Sequence, residues 1–149
     1  MSNLNYALNK TILCIDYGTK NIGLCVYTEG RDPFPMPFSQ IKNTTSDDVL
    51  HQLSNIIDDE VVEIIVLGLP KHKDGNDSEM TKLVRQFQEV LVKKFPNLEF
   101  FYQDEALSSF EAEDRMKNSP RYNFKIDKTQ IDALAASIIL EEWLQQEKL

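Results

Sequence analysis

Apolar and polar residues alternate along this chain in two rhythms, and the change from one to the other marks out its elements. Near the start, Thr11-Ile-Leu-Cys-Ile15 and Ile22–Tyr27 are short apolar runs of strand length, set around the turn Asp16-Tyr-Gly-Thr-Lys20. Gly18 is the residue in that turn able to supply a positive φ. Alternating prolines in 30–37 favour an extended connector, and a third strand fits at about 37–41. Helical spacing follows in Val49, Leu50, Leu53, Ile56 and Ile57, behind Ser46 as a cap. Val61–Leu67 is a continuous apolar run, the mark of a strand covered on both faces, and it stops at Gly68-Leu-Pro70. Ser78 caps a second helix with Leu83, Val84, Phe87, Val90 and Leu91 on one face, and Leu98–Tyr102 predicts a fifth strand ending at Gln103-Asp104-Glu105. Ser108 and Glu111 have capping-box spacing, Pro120 interrupts the next segment, and Thr129 is placed to cap a last helix reaching about Gln146.

Three strands with short connections predict an antiparallel meander. The later strands, separated by helices, predict parallel right-handed crossovers. The expectation is one α/β domain over 1–149, with a mixed five-stranded sheet in the order three-two-one-four-five and helices on both faces. This element order is similar to that of the ribonuclease H-like superfamily.

Charge changes the picture in one place. The chain carries a net charge of −8, which argues against broad, non-specific nucleic-acid binding. Residues 115–128 nevertheless hold Arg115, Lys117, Arg121, Lys125 and Lys128 against one acid, Asp127, a basic island suited to docking a polyanion. No apolar run approaches the roughly 20 residues of a membrane span, and the N-terminus lacks signal-peptide character, so the expected location is the cytoplasm. Cys14 and Cys25 fall inside strands and read as small buried hydrophobes in a reducing compartment.

Candidate chemistry centres on carboxylates. Asp16 ends an apolar strand, where a charge is costly unless something pairs with it. As a motif, Asp16-Tyr-Gly-Thr-Lys20 admits a plain hairpin turn, a metal-binding Asp at a strand end, or the phosphate-contacting turn used by sugar kinases and actin-like ATPases. The last reading needs two such domains, and 149 residues provide one. Asp104-Glu105 follows a strand directly, and Asp132 shares a helix face with Ala135, Ala136, Ile139 and Trp143 that should pack on the sheet. Each also has a simpler role near a helix N-terminus. His72 lies between two lysines and reads as a loop residue. An all-oxygen donor set suits Mg²⁺ or Mn²⁺ rather than zinc.

Four blocks in order, Ile15-Asp-Tyr-Gly-Thr-Lys-Asn-Ile-Gly23, Val66–Gly75, Gln103-Asp-Glu-Ala-Leu-Ser-Ser109 and Lys128-Thr-Gln-Ile-Asp-Ala-Leu-Ala-Ala136, together resemble the YqgF/RuvX family of pre-16S rRNA nucleases and Holliday-junction-resolvase-like proteins. The resemblance covers about 11–146. It implies Asp16, Glu105 and Asp132 as the catalytic and metal-holding acids, with Mg²⁺ or Mn²⁺ as cofactor. The chain's own residues add candidate substrate contacts in Gly18, Lys20, Lys125 and Lys128, and Tyr122 or Phe124 as a ring to stack on an unpaired base. Precursor 16S rRNA, free or within a pre-ribosomal particle, is the first expected partner and branched DNA the second; a non-catalytic ribosome-assembly factor on the same fold is the rival. The chain departs from the family pattern at Asn21, where a basic residue is usual, and at Ala106, where an Arg is usual. Glu105, two strands from Asp16, must also reach across roughly 10 Å of sheet.

Overall fold

The structure is a computed structural model that describes residues 3–70, 78–105 and 108–146, the side chains of 108 and 109 excepted. The expected roles of His72, of Ala106 and of the Ser108 side chain lie outside the described residues.

Five strands, β1 (Thr11–Tyr17), β2 (Asn21–Thr28), β3 (Pro37–Lys42), β4 (Ile64–Pro70) and β5 (Glu99–Glu105), form one sheet in the order β3-β2-β1-β4-β5. β1 pairs antiparallel with β2, β2 antiparallel with β3, and β4 runs parallel to both β1 and β5. The helices are α1 (Asn3–Tyr6), α2 (Ser46–Glu60), α3 (Glu79–Lys94), α4 (Ser108–Lys117) and α5 (Ile131–Gln145), with one tight helical turn at Pro120–Tyr122. Both the mixed sheet and its order agree with the reading of the sequence.

The period-two geometry of the strands divides the core in two. Leu13, Ile15, Ile22, Ile65, Leu67 and Leu69 face α2 and α3. Ile12, Cys14, Cys25, Ile64 and Val66 face Ala136, Ile139 and Trp143 of α5, so both cysteines are free and buried in apolar packing. α5 is buried from Ala133 to Leu140 because its other side, including Leu134, Ala135 and Ile138, packs on Ala112 and Met116 of α4. A helix covered on two sides reads as apolar all round. This corrects the assignment of Ala135 to the sheet-facing stripe.

Several local expectations are revised. Thr45, not Ser46, caps α2, accepting from the Asp48 amide. Val61 belongs to no strand: it ends α2 in the left-handed region at φ 54° with its side chain exposed, and β4 begins only at Ile64. Gly68-Leu-Pro70 and Gln103-Asp-Glu105 are not stops but the last residues of β4 and β5. Thr129 does not cap α5, because its amide and hydroxyl both donate to the Asp127 carboxylate. Ser78 does cap α3, in a reciprocal box with Thr81. α1 has no periodic pattern to announce it and is held by Asn3, whose amide and side chain donate to Gln146 and Trp143 carbonyls.

A β-branched side chain gains nothing from the left-handed position at 61. Val61→Gly is expected to stabilise the protein by about 1 kcal/mol, the relief of left-handed strain less the added chain entropy of glycine. Denaturant titration of the two proteins measures it, and a destabilised variant would contradict this account of the α2 terminus.

Candidate active site

Asp16 sits in the middle strand, on the α5 side of the sheet, and its neighbours on either side are glycines. Asp16 pairs with Gly23 of β2. One residue beyond the Ile15–Leu67 pair, the register sets it beside Gly68 of β4. Both glycines leave space that other groups fill. A Cβ at Gly23 would fall on the Asp132 carbonyl, so this glycine lets the first turn of α5 lie directly on β2. A Cβ at Gly68 would stand 2.7 Å from Ile139 Cδ1 and 3.0 Å from Glu105 Oε2. The Glu105 side chain therefore leans from β5 across the bare backbone of β4 toward Asp16. An acid two strands away reaches inward because the strand between has no side chain there.

Electrostatics record the convergence. Burial first, then the Glu105 and Asp132 carboxylates, push the Asp16 carboxyl well above its usual range. Burial also raises Asp132. Cys14, two residues before Asp16 on the same face, is raised by burial and also senses Asp16 and Glu105 among nearby charges. Glu142, near the end of α5, is raised by burial and by Glu111 and Glu105, while a hydrogen bond from Gln103 lowers it. Glu105 thus acts on Asp16 of β1 and on Glu142 near the end of α5.

Whether these residues suit a divalent cation rests on donor chemistry. The donors are carboxylate oxygens from β1, β5 and α5, and the missing Cβ at 68 is what lets Glu105 lean toward Asp16. The repulsion that Glu105 and Asp132 exert on Asp16 is what a dication would relieve. On these grounds they fit. Among the described residues the carboxylates do not already stand as a closed ligating cluster of three.

The turn after Asp16 is shaped differently from expectation. Gly18 has no positive φ, since among the described glycines only Gly30 does. Its requirement is spatial, because a Cβ would lie 2.5 Å from the Asn21 carbonyl oxygen. Asn43 braces this turn, its amide donating to Lys20 O at 2.8 Å and its side chain to Gly18 O at 2.9 Å. Lys20, Lys125 and Lys128 are all exposed, and among the described residues none is in an ion pair. Arg115 leaves the basic island, because its guanidinium is bound to Glu141 and Glu111; the Glu141 hydrogen bond raises its pKa further.

Two residues that the sequence reading missed stand on the same face. Gln40 of β3 pairs with Gly23, accepts from the Asp132 amide at 3.1 Å and donates to Lys128 O at 3.1 Å. α5 has no side-chain cap of its own, since Gln130 at its N-cap makes none. Gln40 therefore caps the helix from the sheet and fixes the Asp132 turn to β3, across Gly23 of β2 from Asp16. Lys42, two residues on, is exposed and pairs with Asn21. It sets a cation on the active-site face beside the position where the family pattern has its own. No local motif could reveal either residue, because each acts across a strand pairing.

The strand order defines the class: this is the ribonuclease H-like fold. The solved structure of Thermus thermophilus RuvC shares it, with a TM-score of 0.53 and 11% identity over 91% of this chain and 98% of that one. A family described as "RuvX: Holliday junction resolvase" matches residues 10–146, and this chain belongs to the RuvX family. Its relatives include a protein of Maridesulfovibrio salexigens, 39% identical over 89% of this chain and 96% of that protein. Another, from Dechloromonas aromatica, is 35% identical over 91% and 90% respectively. Both are named "Putative pre-16S rRNA nuclease".

The raised Asp16 carboxyl sets a sign. With a folded pKa above the unfolded one, Asp16 carries no folding penalty below the unfolded value; the penalty builds as pH rises above that value and is complete above the folded one. In EDTA, Asp16→Asn is expected to melt above the wild type at pH 8, with the gap closing as pH falls. Added Mn²⁺ should reverse the order, stabilising the wild type by about 2.7 kcal/mol at a hundred times its Kd and leaving the variant unmoved. An Asp16→Asn protein less stable than wild type in EDTA at every pH would contradict the repulsion.

Gln40→Ala removes two tertiary hydrogen bonds from the start of α5. A loss of about 1–3 kcal/mol is expected, with faster hydrogen exchange at the Asp132 amide. Unchanged exchange at that amide would show that Gln40 does not hold the turn.

Proposed function

We propose that this protein is a metal-dependent nuclease that hydrolyses phosphodiester bonds, with precursor 16S rRNA as its substrate. The observation that carries the reading is the lean of Glu105 over Gly68 toward Asp16, which brings acids from separate strands together on the α5 face of the sheet. Membership of the RuvX family and the names of the two relatives support the same class.

Asp16, Glu105 and Asp132 would hold Mg²⁺ or Mn²⁺. Such an ion, when bound, lowers the pKa of water and neutralises charge on the attacked phosphate. The chain's own contribution is placement. Asp16 is fixed by the sheet, Asp132 by Gln40, and Glu105 by the gap at Gly68. Lys20 and Lys42 flank the turn that follows Asp16, and Lys125 and Lys128 lie on the loop entering α5. These four exposed cations would bind phosphates along the strand. Gly18 would contribute backbone, with its turn held open by Asn43. Action on a pre-ribosomal particle in the cytoplasm is part of the same proposal. Among the described residues no helix is long and apolar enough to cross a membrane.

Cleavage of branched DNA is the second reading, favoured by the fold shared with RuvC and the description of the family. A labelled 16S precursor fragment and a four-way junction, each incubated with Mg²⁺, Mn²⁺ or EDTA, separate the two. Metal-dependent cleavage of the precursor, reduced more than about a hundred-fold in Asp16→Asn and in Glu105→Gln, is expected, since even outer-shell changes at metal sites cost 10–100-fold. Preferential cutting of the junction would establish the second reading. Tight binding with no cleavage under any metal would leave a non-catalytic assembly factor.

A further inference from the structure

Phe124 stands in the loop between α4 and α5 in a conformation that costs free energy, and the residue is largely exposed. Its φ is 57°, directly after Asn123 at 54°, so two successive residues occupy the left-handed region. Asn tolerates that region, whereas a bulky aromatic there is an outlier. The residue is 60% exposed. Tyr122 and Ile131 on either side are partly buried against the α4–α5 cluster, whereas Phe124 is exposed. The backbone around it is nonetheless fixed. Phe124 N donates to Ser119 O at 3.0 Å, Lys125 N to Tyr122 O at 3.1 Å, and Asp127 N to Met116 Sδ at 3.3 Å. A glycine would satisfy this turn more cheaply, so the sequence holds a rigid aromatic ring out into solvent at the expense of the fold.

The surroundings indicate what the ring meets. Arg121, Lys125 and Lys128 are exposed, and among the described residues none of them is in an ion pair. The one acid in this stretch, Asp127, is engaged by Thr129 and Gln130. Four residues after Phe124, the carbonyl of Lys128 is bonded to Gln40, which also holds Asp132. An exposed ring among exposed cations, tethered to the candidate catalytic turn, has the makings of a single-strand contact: aromatic faces stack on bases, and cations follow the backbone.

We propose that Phe124 is a stacking platform for an unpaired nucleobase of the substrate, with Lys125 and Lys128 on the flanking phosphates. The assignment rests on the nucleic-acid reading above and narrows it to strands that present an unpaired base near the site of cleavage. A fully paired duplex, whose bases are already stacked, gains nothing from the ring.

Fluorescence anisotropy in EDTA, at one fixed salt concentration, tests this on the full chain without cleavage. The probes are a labelled single-stranded RNA 12-mer and the same sequence in a perfect duplex. Phe124→Gly is expected to bind the single strand about five- to a hundred-fold more weakly, to bind the duplex as the wild type does, and to melt no lower than the wild type. Phe124→Trp should keep the single-strand affinity. Unchanged single-strand binding by Phe124→Gly, equal losses on both probes, or a melting temperature that falls together with the affinity would overturn the proposal and make the ring structural. The nuclease reading fails separately. Absence of metal-dependent cleavage with Phe124-dependent binding intact would remove the hydrolysis and keep the platform.

Discussion

The structure turns on a charge placed where a sheet has no room for one. Asp16 lies in the central strand of five, packed under α5, and it is tolerated because both adjacent strands present glycine at that level. Gly23 brings the backbone of α5 down onto β2, and with it Asp132. Gly68 clears a path for Glu105 from the far side. Either glycine replaced by a larger residue would separate the acids, because the atoms it would meet belong to backbone, a core isoleucine and the carboxylate itself. The convergence is unfavourable for the isolated fold, as the raised Asp16 carboxyl records. Sites that carry such a cost are where functional chemistry is found.

Much of this was legible beforehand, for physical reasons. Ile12 to Ile15 and Ile64 to Leu67 are continuous apolar runs because both faces of those strands are covered, and that pattern survives any detail of side-chain placement. Strand order followed from connection lengths. The acids were visible because a carboxylate at the end of an apolar run has few inexpensive explanations. What stayed hidden depended on pairing across the sheet. Gln40 looks like any polar residue of an edge strand until β3 is registered against Gly23, when it becomes the cap of a helix 92 residues away. Thr129 has the spacing of a cap, yet Asp127 captures its hydroxyl first. In the sequence Gly18 has the look of a residue chosen for conformational freedom, whereas what it provides is clearance beneath the Asn21 carbonyl. The resemblance to the YqgF/RuvX family supplied the identities of the three acids, and the reach of Glu105 became intelligible only with Gly68 beside it.

Charge is distributed with the same economy. An acidic protein keeps four exposed cations, Lys20, Lys42, Lys125 and Lys128, on the turn and edge beside Asp16 and on the loop leading into α5. Arg115, which the sequence groups with them, is committed to α5 through Glu141. Lys42 stands across the pairing from Asn21, so a cation remains available on the face where position 21 itself has none. Binding through so few phosphate contacts would be weak in salt, which leaves room for shape and stacking to choose the substrate.

The central claim is that Glu105 and Asp16 share one electrostatic site across the bare backbone of Gly68. The apparent pKa of the Asp16 carboxyl, followed by carbon-detected NMR titration of the metal-free protein, reads that coupling directly. It should lie well above the ordinary aspartate range in the wild type and fall toward it in Glu105→Gln. An Asp16 carboxyl that titrates identically in both proteins would contradict the account.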